Sequence, residues 1–370
     1  MDFKKYLAST VAAGALLAFT APVDAVAGAV NNQNSKIALT IGGRMHKSLI
    51  HADDGVRDAL FFVDGRSSNT EMWWSGSAKL TETVTMGAYQ RWDVANQNGS
   101  YSFGSTTGAA TNGGTTETGK YSYIYFKHSS MGTVSMGDVE SGANGTMNGN
   151  GGGFSANPGV QASAMDITSG TSAWATSDEI SDFLTLADAG GDGQNRIVYS
   201  SPSMGGFSFA ADVEQDGGGG VGVKWSGSMG GVTAKITGGS EWDGSANNLT
   251  GGSIVLSHAS GLHASVNHYK YDLDVESATA TDYDGTTVNV GYKTKLNSLG
   301  NTNVAVSYHE TDDKTGTGDE GESHRFGVTQ DLDAVGGAVK IMYESLSFSD
   351  SAATNYNDMD TLGMEISFNF

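Results

Sequence analysis

The feature that most constrains this chain is an alternation of apolar and polar residues, recurring from end to end and punctuated in two different ways. Ile37, Leu39 and Ile41 alternate with Ala38, Thr40 and Gly42, and Phe207, Phe209, Ala211 and Val213 with Ser208, Ala210, Asp212 and Glu214. Val288, Val290 and Tyr292 alternate with Asn289, Gly291 and Lys293. Period two places each set of side chains on one face of a strand. A short Ser/Ala-x-Gly turn recurs between adjacent segments, at Ser130-Met131-Gly132, Ser203-Met204-Gly205, Ser228-Met229-Gly230, Ala259-Ser260-Gly261, Ser298-Leu299-Gly300 and Ala334-Val335-Gly336. Glycine supplies the positive φ that tight hairpins require. The connections that alternate with these turns are longer and rich in Asp, Gly, Ser, Thr and Asn. A soluble sandwich has no reason to sort its connections by parity, whereas a membrane barrel has short turns at one rim and long loops at the other.

Sixteen such segments are predicted, the first at 36–50 and the last at 361–370. The expected fold is an all-β, 16-stranded antiparallel transmembrane β-barrel occupying 28–370 as a single domain. Composition agrees. The hydrophobic content of 38% would be thin for a soluble core, yet 14 Tyr, 14 Phe and 6 Trp argue against disorder. A barrel needs apolar residues only on the lipid side, because its lumen is wet. Trp74, Trp92, Tyr199, Trp225, Tyr292 and Tyr343 are expected in the interfacial girdles. The absence of Cys excludes disulfides and thiolate chemistry, and a net charge of -21 excludes nucleic acid as a partner. No G-x-S-x-G elbow occurs, and the eight His show no zinc spacing, so the chain is not expected to be an enzyme and requires no cofactor.

Residues 1–27 are expected to be a cleaved secretory signal: Lys4 and Lys5 precede the apolar run from Leu7 to Phe19, and Ala25-Val26-Ala27 fits small-x-small cleavage. One connection is far longer than the rest. The third long loop, 138–193, is too long to be idle and is expected to fold inward and narrow the lumen. At the other extreme of the chain, Leu362, Met364, Ile366, Phe368 and Phe370 form an apolar row ending on an aromatic.

These residues resemble a known family. Ile37-Ala38-Leu39-Thr40-Ile41-Gly42-Gly43-Arg44, Asp53-Asp54-Gly55, Phe62-Val63-Asp64, Ser75-Gly76-Ser77-Ala78-Lys79-Leu80 and Arg196-Ile197-Val198-Tyr199-Ser200-Ser201-Pro202-Ser203-Met204-Gly205-Gly206-Phe207 are similar, in order and spacing, to Gram-negative general diffusion porins of the alphaproteobacterial type. The resemblance implies an outer-membrane homotrimer among lipid and lipopolysaccharide, passing small hydrophilic solutes and ions through a constriction where loop acids oppose wall bases. It also implies that Phe370 serves as the assembly signal. Where the family often carries an Arg in the second strand, this chain has Ser67-Ser68-Asn69-Thr70-Glu71-Met72-Trp73-Trp74.

Parity assigns the wall. If apolar alternates face lipid, Arg44, Lys79, Arg91, Arg196, Lys224, Lys235, Lys293, Lys295, Arg325 and Lys340 face the lumen, because a base on the lipid face near midplane costs about 2–4 kcal/mol. Parity conflicts at 119–128 and 261–271, where only Lys127 is assigned. The long loop offers Asp138, Glu140, Asp166, Asp178, Glu179 and Asp182 as opposing carboxylates. Paired acids at Asp53-Asp54 and Asp312-Asp313 are candidate calcium ligands. The expected loops, 51–69 the first and 138–193 the third, hold 28 of the 39 acids beyond residue 27 but only Arg57, Arg66 and Lys314 among the 18 bases, so the acidity gathers at the outer mouth above a mildly basic wall. Alternatives are a solute-selective porin, a structural or adhesive surface protein with a plugged lumen, and an exported soluble β-protein.

Overall fold

The computed structural model describes residues 36–64, 70–95, 101–103, 110–112, 116–150, 168, 180–185, 194–245, 247–274, 281–314, 316–351, 354 and 356–370; the expected signal segment 1–27 lies outside them. The strands are β1 (Ala38–Asp53), β2 (Asp58–Asp64), β3 (Glu71–Lys79), β4 (Val84–Ala95), β5 (Tyr101–Phe103), β6 (Ala110–Asn112), β7 (Thr116–His128), β8 (Gly132–Val139), β9 (Gln194–Ser200) and β10 (Phe207–Glu214). They continue as β11 (Gly219–Met229), β12 (Val232–Trp242), β13 (Asn248–His258), β14 (Leu262–Asp272), β15 (Tyr283–Thr294), β16 (Thr302–Asp312), β17 (Glu320–Leu332), β18 (Gly337–Ser349) and β19 (Met359–Asn369). β5 and β6 form a separate hairpin, and the other seventeen make one antiparallel sheet.

The sheet closes on itself. β19 pairs with β1 from Arg44↔Asn369 to Asp53↔Asp360. Along its other edge β1 pairs with two strands in succession, β2 from Lys47↔Asp64 to Asp53↔Asp58 and β3 from Ala38↔Ser77 to Arg44↔Glu71. β2 and β3 are therefore two halves of one stave, and the barrel has sixteen. This corrects the expectation of a loop across 51–69. The connection there is a tight turn, in which the Asp54 carboxylate accepts N–H bonds from Val56 and Arg57 at 3.0 and 2.5 Å. The strand signal was hidden because Ala59-Leu60-Phe61-Phe62-Val63 is apolar on both faces.

Register fixes the faces. Ile41, Met45, Val223, Val288, Val306, Phe326 and Ile341 share the outward parity and are exposed. The six expected girdle aromatics lie on that same parity. The conflict at 119–128 resolves because Ile124 and Phe126 face out while Tyr121, Tyr123 and Tyr125 face the lumen in register with Arg91, Tyr89 and Gly87. A bulge between Arg91 and Trp92 re-phases the strands above that point. At 261–271 the outward row is Leu262, Ala264 and Val266, and the inward row His263, Ser265, Asn267 and Tyr269.

Two of the tight turns show why glycine recurs at one rim. Gly132 has φ +96° and Gly261 φ +101°, a region that costs an L side chain, and each packs its α-carbon against a facing backbone carbonyl, Ser200 O and Lys293 O respectively.

Candidate functional site: the inner wall and the long loop

The lumen-facing parity collects the predicted bases. Arg44 (β1), Lys79 (β3), Arg91 (β4), Arg196 (β9), Lys224 (β11), Lys235 (β12), Lys293 (β15), Arg325 (β17) and Lys340 (β18) all fall on it, as does Lys127 on β7. Lys295 does not, since it lies past the end of β15 in the turn toward β16.

Most of the arginines are already neutralised on the wall. Arg44 Nε stands 2.8 Å from Glu71 Oε1, and Arg91 bonds the other oxygen of the same carboxylate and lies 3.7 Å from Asp93. Lys120 joins them at 3.7 Å from Asp93. Arg196 sits among Asp212, Glu214 and Glu241 at 3.3, 2.5 and 2.8 Å. Arg325 meets Glu344 at 3.3 Å, and Ser323 Oγ donates to that same carboxylate oxygen at 2.9 Å. Glu365 takes Lys340 at 3.1 Å and His46 Nδ1 at 3.2 Å. The tightest of these pairs have little access to solvent; Arg325 and Glu344 side chains are 1% and 0% exposed. A buried ion of this kind persists only with its partner. Glu71, Asp93, Asp212, Glu214, Glu241, Glu344 and Glu365 were missed as site residues, although the parity that placed the bases places these acids as well.

The long loop meets this wall at two places. Its first limb, 141–147, lies on lumen-facing positions of β10 to β13. Gly142 N and Ser141 Oγ donate to Asp212 at 2.6 and 3.0 Å, Lys224 Nζ to Asn144 O at 2.7 Å, and Thr237 and Ser253 hydroxyls to Thr146 O at 2.5 and 3.1 Å. Close approach is possible because the wall is glycine there: a Cβ on Gly239 would stand 2.6 Å from Thr146 Oγ1, and one on Gly222 would strike Gly142 O. The second limb, 180–185, begins with a single helical turn, Ile180–Phe183. Ile180, Phe183 and Leu184 join Ile50, Ala52, Phe61, Val63, Leu346, Phe348 and Met359 in one buried apolar cluster. Thr185 N donates to Thr311 Oγ1 at 3.2 Å, and Tyr269 OH to Thr185 O at 2.7 Å.

Of the predicted loop acids, Glu140 accepts Tyr121 OH at 2.8 Å. Asp138 is a correction: it belongs to β8, opposite Ser122 and on the outward parity of Val134 and Met136, because the strand runs two residues further than its alternation suggests. Asp166, Asp178 and Glu179 lie outside the described residues, as does the side chain of Asp182.

The acidic mouth is partly strand. Asp53 closes β1, and Asp312 ends β16 on the outward parity. The Asp54 carboxylate is committed to Arg57, 2.7 Å away and likewise buried. Asp313 Oδ1 accepts Gly318 N and Asp313 itself turns the chain at φ +64°. The better-formed oxygen cluster is one the sequence did not single out, Glu310, Glu320 and Glu322 on the outer face of β16 and β17, with ligand atoms within 4.8 Å of one another. In the loop between β14 and β15, the Leu273 N–H and neighbouring Lys270 hold the Asp282 carboxyl below its ordinary range.

Known proteins place this arrangement. The sequence profile of the Gram-negative porins matches residues 11–351. The fold is similar to that of the anion-selective porin from Comamonas acidovorans, at 13% identity over 90% of this chain and 100% of that one, with a TM-score of 0.58. It is similar to the in-vitro folded trimer form of OmpT from Vibrio cholerae, at 12% identity over 91% and 100%, TM-score 0.59. A mutant Rh. blastica porin aligns at 15% identity over 90% and 100%, TM-score 0.51. No curated protein matches the sequence. With a closed sixteen-stave barrel, an apolar outer belt and a polar inner wall, the chain belongs to the Gram-negative porins, outer-membrane channels for the passive diffusion of solutes.

Proposed function

We propose that this porin works as a homotrimer of independent water-filled channels, each narrowed by its own 138–193 loop and passing small hydrophilic solutes and ions without energy coupling. The observation that carries the reading is the double anchorage of that loop on lumen-facing side chains, Thr146 O to Thr237 and Ser253 at one limb and Phe183 against Phe348 at the other. A loop seated outside the barrel would have no use for a glycine patch on the inner wall. A trimer form is recorded for the Vibrio cholerae protein to which the fold is similar. The resemblance carried by 37–44 and 196–207 supports a porin of the alphaproteobacterial type.

Wall bases and acids act in this reading as a polar lining that favours hydrated solutes over apolar ones. The acidic outer rim attracts cations and suits divalent ions bridging to lipopolysaccharide, for which Glu310, Glu320 and Glu322 are the best-placed oxygens. Purified protein in planar bilayers should give stepwise conductance in groups of three, and unheated gel electrophoresis should show a trimer. Absence of steps, together with no solute flux in liposome swelling, would instead favour a structural or adhesive surface protein.

A further inference from the structure

The inner faces of β3, β4 and β7 form one panel whose rows are fixed by register. From the outer side downward they read Trp73–Arg91–Tyr121, Ser75–Tyr89–Tyr123, Ser77–Gly87–Tyr125 and Lys79–Thr85–Lys127. Four tyrosines therefore line the wet side of the barrel, where the girdle rule places none. They touch in sequence: Tyr121 to Tyr89 at 6.5 Å, Tyr89 to Tyr123 at 5.4 Å and Tyr123 to Tyr125 at 6.5 Å between centroids.

The lower ring lies down on the wall. A Cβ on Gly87 would strike Tyr125 Cζ and its hydroxyl oxygen, so glycine is what lets the phenol end of that ring lie against the sheet. Trp73 does the same over Gly42, where a Cβ would stand 2.8 Å from the indole. At the upper end, Arg91 lies 5.1 Å over the Tyr121 ring and is tied to Glu71 and Asp93. The lower end is different. Lys79 and Lys127 are exposed, and neither has a carboxylate partner among the described residues. They flank Thr85 two strand spacings apart, about 10 Å between backbones, and the Tyr125 row is about 7 Å above them. No acid occupies the inward positions of the panel below the Glu71–Asp93 row.

From this juxtaposition we propose that the panel is a solute-binding track for small anions that carry a planar ring, aromatic carboxylates being the class. The carboxylate sits between the Lys79 and Lys127 ammoniums with the Thr85 hydroxyl as a further donor. The ring stacks on Tyr125 in the offset arrangement that aromatic pairs prefer, and Tyr123 continues the track one row above. The about 7 Å rise between the rows matches the length of a single benzoate. Elsewhere on the wall Arg44, Arg196, Lys293, Arg325 and Lys340 are each held by a carboxylate, and Lys224 and Lys235 have no aromatic ring among their lumen-facing register neighbours. This rests on the channel reading above and adds a preference within it.

The test is single-channel recording on the full-length trimer at moderate salt, with benzoate, acetate and benzylammonium as probes. Benzoate should lower the open-channel current in a saturable way, while acetate (the same charge without the ring) and benzylammonium (the ring with the opposite charge) should need at least tenfold more. Tyr123→Leu with Tyr125→Leu should raise the half-blocking benzoate concentration at least fivefold, and Tyr125→Phe, which keeps the ring, should not. Lys79→Gln with Lys127→Gln should abolish the block, and Arg at both positions should restore it. Equal block by benzoate and acetate, or by benzoate and benzylammonium, would overturn the proposal. So would leucine variants that block like the native channel. A native protein that gives no conductance steps at all would refute the channel reading itself.

Discussion

Removing one ring should release one limb of the long loop and leave the barrel intact. Phe183 is 3% exposed, its ring 5.6 Å from Phe348 and 5.2 Å from Tyr356, with Ile180 and Leu184 beside it. Burying these three apolar side chains contributes about 1.5–3 kcal/mol each, and the two hydrogen bonds at Thr185 about 1 kcal/mol each. Fixing the backbone of 180–185 costs about 1–2 kcal/mol per residue. A gain of about 7–11 kcal/mol stands against a cost of about 6–12 kcal/mol, so the seated limb is close to balance. Phe183→Ala withdraws about 3–5 kcal/mol, enough to tip that balance. The limb should then spend a substantial part of its time off the wall. Single-channel recordings should show more open-state noise and a changed mean conductance, while heat resistance of the folded barrel on gels stays as in the native protein, because no ladder bond involves Phe183. Conductance and noise indistinguishable from native would refute this balance and with it the idea that the ring is the anchor.

Glu344→Ala should cost about 3–5 kcal/mol, since it strands a guanidinium 1% exposed, and should lower the urea midpoint of unfolding in lipid. Gly222→Val should cost about 1–3 kcal/mol by driving the first limb off its seat, and a single-channel conductance unchanged from native would count against that seat. The cation preference set by the acidic mouth should weaken as salt rises from 0.1 to 1 M, where the screening length falls from about 10 to about 3 Å; reversal potentials across a salt gradient measure it. Chelation of divalent ions should lower trimer heat resistance in lipopolysaccharide-containing membranes, and Glu310→Gln with Glu322→Gln should remove that sensitivity.

Alternation and turn parity made the barrel legible, and nine of the ten bases that the lipid rule assigned to the wall lie on the parity opposite the exposed apolar rows. Lys295 escaped because alternation cannot say where a strand stops, and Asp138 escaped for the same reason at the other rim. The pairing of wall acids with wall bases was illegible for a different cause. Glu71 and Arg44 are 27 residues apart in sequence and meet only through the β1–β3 register, and Arg196 gathers carboxylates from β10 and β12. Register across staves is a tertiary fact, so the expected opposition of loop acid and wall base became, for the arginines, an exchange between neighbouring strands.

The failures of the parity rule have a common location and therefore a meaning. Ile50 and Ala52 on β1, Phe61 and Val63 on β2, Leu346 and Phe348 on β18, and Met359 on β19 are apolar residues on the lumen parity, all at the outer end of four adjoining strands. Alternation fades there because both faces need apolar surface, one for lipid and one for the helical turn Ile180–Phe183. The tyrosines of β4 and β7 break the rule at a second place, again on the lumen side and again over a contiguous panel. Isolated exceptions would be noise, but contiguous ones mark a surface on which something rests. At the first surface the occupant is this chain's own loop; at the second the described loop residues bring only Glu140, to the upper ring of Tyr121, and the proposed occupant of the lower rings is an anion, matched to the lysines at the panel's foot.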